Sequence, residues 1–154
     1  SVAVEALVML IPIIVGVLAG LAVGFGVLLV FGLILSLVVR LLTEHRISVW
    51  KGFLVQLLAI LFTSAINIPL FLMIDGPGAF SPAEQAELFP WGEILRSHAI
   101  ALPATVIGMM ASLKLLVKLG LKENAMVTAV YLTIIYLINA AMFLGLAGLL
   151  VLVS

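Results

Sequence analysis

No charged residue occurs between Ala6 and Val39, a run of 34 positions. About 20 apolar residues cross a bilayer core of about 30 Å. A straight helix of 34 residues reaches about 50 Å at 1.5 Å per residue. The run must therefore tilt strongly, bend, or begin outside the bilayer core. Pro12 and the Gly24-Phe25-Gly26 sequence are the expected bending points. The preferred assignment is a membrane span over residues 17–39. Before it, residues 1–16 form an apolar extension at the interface or against a partner. Gly16, Gly20 and Gly24 recur every fourth residue and share one helix face. Such a stripe lets another helix approach closely. It reads as an oligomer seam or a pore-lining face, or more simply as packing within one bundle.

The next break is polar: Arg40, Glu44, His45, Arg46 and Lys51, with Trp50 where an aromatic belt residue belongs. A second apolar run over residues 53–74 stops at Asp75-Gly76-Pro77-Gly78. Ser81-Pro82-Ala83-Glu84 has a serine cap, a first-turn proline and a capping-box glutamate. It predicts a short outer-loop helix ending before Pro90, resting on the membrane through Ala83, Ala86, Leu88, Phe89 and Trp91. A third span covers residues 99–116 and ends among Lys114, Lys118 and Lys122. Lysine stems there can stay in apolar surroundings while the ammonium reaches the interface. Gly120 and Lys122-Glu123-Asn124 form a turn before a fourth span, residues 125–150.

Composition turns these four apolar runs into a fold class. The chain is 66% hydrophobic and 9% charged, against about half and a quarter in soluble domains. Lipid must cover much of the surface. Open sheets cannot satisfy their edges in lipid, and barrels show short alternating segments rather than long runs. The expectation is an all-α polytopic protein: a four-transmembrane-helix bundle in one integral membrane domain, residues 1–154. Residues 1–20 lack the positive start of a secretory signal and are read as structure. Arg40, Arg46, Lys51, Lys114, Lys118 and Lys122 fall on one side, while the loop between the second and third spans is acidic. The positive-inside rule then places both basic turns in the cytoplasm and both termini on the non-cytoplasmic side.

Charge and residue type also narrow the chemistry. Net formal charge is zero, and no basic patch suggests nucleic acid as a partner. The absence of cysteine removes thiol cofactors, iron–sulfur clusters and quinone-linked disulfide chemistry. His45 and His98 fall on opposite predicted sides, so one chain cannot pair them on a haem or metal, and interfacial hydrogen bonding is the simpler reading. Four spans with a glycine-rich first helix loosely resemble the proteolipid ring subunits of rotary ATPases. Those proteins carry an ion on a mid-membrane carboxylate, and no Asp or Glu lies within spans two, three or four. The resemblance is not adopted. Intramembrane aspartyl or serine proteolysis lacks its paired residues, and enzyme activity is disfavoured.

Uncharged polar residues form a mild stripe on each of three spans. Gln56, Thr63, Ser64 and Asn67 share a face on the second, Thr105, Gly108 and Ser112 on the third, and Thr128, Tyr131 and Asn139 on the fourth. They line a solute path or hold the helices together. Pro69 and Pro103 each free a carbonyl one turn earlier, which suggests a shallow outward pocket. Centring each span places Asn67, Thr105 and Asn139 at one depth, as a candidate polar cluster with Ser64, Ser112 and Tyr131 near it. The expected role is a non-catalytic integral membrane subunit packed within a larger assembly, with lipid and other subunits or itself as partners. The alternative is a small oligomeric transporter or channel protomer with a path lined by these polar residues. A membrane enzyme acting on lipid has no residue support.

Overall fold

The computed structural model describes residues 1–78 and 91–154. It is all-α, with four long helices: α1 (Val2–Leu42), α2 (Val49–Asp75), α3 (Trp91–Leu116) and α4 (Leu121–Val153). Each is long and apolar enough to cross a membrane. The short helix expected from Ser81 falls outside the described residues.

Local chemistry explains the boundaries. The Ser1 hydroxyl accepts from the Val4 amide at 3.4 Å, and Glu5 sits in the first turn of α1. Both favour a helix N-terminus. At the other end Arg40 occupies the last turn, and the Thr43 hydroxyl donates to the Val39 carbonyl at 2.7 Å. Ser48 caps α2 by accepting from the Lys51 amide at 3.1 Å. Gly76, with φ of 71°, stops α2 in a conformation that only glycine adopts readily. At the end of α3 it is Lys118, not a glycine, that takes positive φ, at 60°. The amides of Val117 and Lys118 both donate to the Leu113 carbonyl there and close the helix end.

α1 runs as one helix through both expected bending points, Pro12 and Gly24-Phe25-Gly26. Pro12 has no N–H to donate, but in lipid the backbone has no solvent partner, so keeping the remaining helical hydrogen bonds outweighs low helix propensity. At 41 residues, α1 is about 60 Å long.

Neighbouring helices pack around a ring: α1 with α2, α2 with α3, α3 with α4, and α4 with α1. α2 and α3 run antiparallel. Gly108 lies against Thr63, and twelve residues further along each helix Arg96 meets Asp75. α3 and α4 are also antiparallel, since Asn124 reaches Met110, His98 meets Tyr136 and Trp91 meets Phe143. α1 joins α2 through a glycine crossing. A Cβ built on Gly32 would stand 2.7 Å from the Phe53 amide nitrogen, and one on Gly52 would overlap the Gly32 carbonyl. Beside this crossing the Ser36 hydroxyl donates to the Ile47 carbonyl at 2.6 Å.

The buried core lies toward the basic turns. Leu35, Val39, Val55, Leu113, Val127 and Tyr131 are its centre. Away from this end the helices pack loosely. Every residue from Ser1 to Phe25 is exposed; the Phe25 ring still packs on Trp50 and Phe53 of α2, and the part of α1 before it leaves the bundle as an apolar arm.

Candidate functional site

Three regions carry what chemistry the fold has: the polar residues in the packed end, the arm of α1, and an open groove between α3 and α4.

The packed end holds Gln56, Ser112, Asn124 and Thr128, all buried. The Ser112 hydroxyl donates to the Gly108 carbonyl at 2.7 Å, one turn back on its own helix. The Asn124 amide donates to the Met110 carbonyl at 2.7 Å and accepts from the Thr128 hydroxyl at 3.2 Å. Asn124 therefore ties α4 to α3. In the sequence it reads as a turn residue, as asparagine near a helix start usually does, and only the packing reveals its cross-helix bond. The buried Tyr131 phenol lies beside Gln56. The Gln56 Nε2 is buried with no hydrogen-bond partner among the described residues.

Asn67 on α2 and Thr105 on α3 are both half-buried, and the antiparallel register sets them at the same level. The Thr105 hydroxyl donates to the Ala101 carbonyl of its own helix at 3.0 Å, and Asn67 Oδ1 is buried without a hydrogen-bond partner among the described residues. Asn139 is exposed and stands level with Leu95 in the α3–α4 register. That separates it from Asn67 and Thr105 by about 14 Å along the bundle, nine to ten residues at 1.5 Å each. Ser64 is half-buried on α2, while Ser112 and Tyr131 belong to the packed end.

The glycine stripe lies on the arm. A Cβ built on Gly16, Gly20 or Gly24 would meet nothing within 4 Å. The close helix contacts inside the chain use other glycines: Gly32 with Gly52, and Gly108, where a Cβ would stand 2.6 Å from the Thr63 hydroxyl.

The two histidines sit at opposite ends of the bundle. His45 Nδ1 lies 3.6 Å from the Glu123 carboxylate, linking the α1–α2 turn to the start of α4. His98 Nδ1 is 2.8 Å from the Ile94 carbonyl. A carbonyl only accepts, so this nitrogen carries the proton. Among the described residues no group of three or more His, Cys, Asp or Glu is placed to hold a metal ion. At the same end as His98, Arg96 grips both carboxylate oxygens of Asp75 at 2.5 and 3.3 Å, with Glu93 at 3.8 Å.

Between α3 and α4 lies an open groove of about 790 Å³. Leu102 and Phe143 line it with Trp91, which meets Phe143 edge-on at 5.0 Å between ring centroids. His98, Tyr136 and Asn139 supply its polar atoms, together with Thr133, whose hydroxyl donates to the Ala129 carbonyl. Sequence reasoning left His98 and Tyr136 out of any site. They come together only because α3 and α4 run antiparallel in this register, with their ring centroids 5.9 Å apart.

No protein-family model, curated protein or solved structure matches the chain. Fold and composition define it as an all-α, multi-pass membrane protein of four long apolar helices.

Proposed function

We propose that this chain is a non-catalytic integral subunit of a larger membrane assembly, docked through the amino-terminal half of α1. The carrying observation is the arm itself. Residues 2–24 are exposed throughout, and among the described residues nothing packs against Gly16, Gly20 or Gly24. The arm is about 35 Å long, enough by itself to cross a bilayer core. A lone helix is chemically satisfied in lipid, but a small-residue stripe gives its backbone a surface that another helix fits more closely than lipid does.

The decisive measurement is particle size and subunit composition after extraction in mild detergent. Co-purification of different subunits in fixed ratio supports the proposal, and a monomer bearing only lipid and detergent overturns it. The alternative, a small oligomeric transporter or channel protomer, draws support from the half-buried Ser64 and from the unpartnered Asn67 Oδ1 on α2. A stable homo-oligomer favours that reading.

The proposed orientation keeps the basic turns in the cytoplasm. The chain has no native cysteine, so single cysteines report without background. A cysteine at exposed Gly78 is expected to react with an impermeant thiol reagent from outside, and one at exposed Glu44 only after the membrane is opened. The reverse pattern would overturn the orientation.

A further inference from the structure

The geometry points to the α3–α4 groove as a binding site for a neutral, hydroxyl-bearing amphiphile drawn from the bilayer. Its volume of about 790 Å³ falls within the range of small-molecule pockets, about 300–1,000 Å³. Its walls are apolar side chains of α3 and α4, suited to a hydrocarbon chain. The polar atoms say what the head should be.

His98 is the selective element. Its Nδ1 proton is committed to the Ile94 carbonyl at 2.8 Å. In the neutral ring Nε2 is then an acceptor. Tyr136 packs edge-on against His98, and Asn139 lies one helical turn beyond Tyr136 on the same face of α4. The Tyr136 hydroxyl and the Asn139 amide have no hydrogen-bond partner among the described residues. The fourth polar residue, Thr133, is already satisfied by its own backbone. Asn139, exposed and level with Leu95 beside the Arg96–Asp75 pair, sits at the polar end of the groove, where a ligand's head group would bond to it.

An acceptor at His98 requires a donor on the ligand. A hydroxyl provides it, and can also accept from Tyr136 or Asn139. An ether or ester of the same chain can accept but not donate. An anionic head fits poorly, because Arg96, the nearby cation, is held by both oxygens of Asp75 and lies 3.8 Å from Glu93.

The test uses the full chain in mild detergent carrying Trp50→Phe. The protein has two tryptophans, so Trp91 in the groove becomes the only reporter. The probes are a brominated long-chain alcohol and its methyl ether, with the same chain and the same bromines, which quench indole fluorescence on contact. The alcohol is expected to quench Trp91 saturably at about fivefold lower concentration than the ether, the effect of one added hydrogen bond. His98→Ala should bring the alcohol to the level of the ether. Equal titration by the two probes in the protein that retains His98 overturns the proposal, and this comparison needs no further variant. An alcohol preference that survives His98→Ala also overturns it, since the discriminating acceptor would then lie elsewhere.

Discussion

Gly52→Leu is expected to separate α1 from α2 and to lower the stability of the folded chain by about 3 kcal/mol, the upper end of overpacking costs. The contact at Gly52 is backbone on backbone. Even a Cβ there would overlap the Gly32 carbonyl, and the matching Cβ on Gly32 would stand 3.0 Å from the Val49 carbonyl oxygen. A flexible side chain could swing aside, but a helix backbone can move only as a body. That movement would also break the Ser36 bond to Ile47 and loosen Leu35 and Val39, both fully buried. The measurement is thermal unfolding in mild detergent, with Gly16→Leu as the control. Gly16 has open space around it, so its replacement should leave protomer stability within about 0.5 kcal/mol of the original, as is usual for exposed sites. A Gly52→Leu protein as stable as its parent would show that the crossing is not a tight one.

Gly20→Leu is expected to act at the other level, on assembly rather than on the protomer. Among the described residues a Cβ at position 20 meets nothing within 4 Å, so the unfolding transition of an isolated protomer should not move. If the arm docks along its glycine stripe, leucine there holds the two helix backbones apart, and the particle extracted in mild detergent should lose subunits. Val23→Leu, on another face of the arm, should be tolerated. Unchanged particle size with Gly20→Leu would mean that the stripe is not a contact surface, and the proposed docking would lose its support.

Together the two substitutions divide the glycines of this chain by their surroundings. Gly20 and Gly52 are the same residue in two strongly apolar helices, and sequence spacing draws attention to the wrong one for internal packing. The regular repeat at Gly16, Gly20 and Gly24 is conspicuous. Gly32 and Gly52 stand twenty positions apart with a polar turn between them, and no periodicity links them. They meet because the chain reverses at residues 43–48 and brings α2 back across α1.

Hydrophobic burial in lipid is a property of each segment alone. Four long apolar stretches suffice to determine four helices, because a lipid-embedded backbone can satisfy its hydrogen bonds only internally. The turns after α1 and α2 were legible from the charged residues 40–51 and from Asp75-Gly76-Pro77-Gly78, whereas α3 begins at Trp91, well before the expected start at residue 99. Pairing is a property of two segments, and single-segment patterns do not contain it. Asn67, Thr105 and Asn139 were set at one depth by centring each span on the bilayer. The helices instead slide past one another until side chains fit, and α4 pairs with α3 in a register that carries Asn139 to the level of Leu95. The same slide brings His98 and Tyr136 into one groove and ties Asn124 to Met110. The sequence by itself thus determined what the chain is made of: apolar helices, their number and their turns. Only the tertiary structure decided which glycines touch, which polar side chains share a site and how far α1 projects from its neighbours, because those depend on the fit between helix faces and not on the polarity of either face.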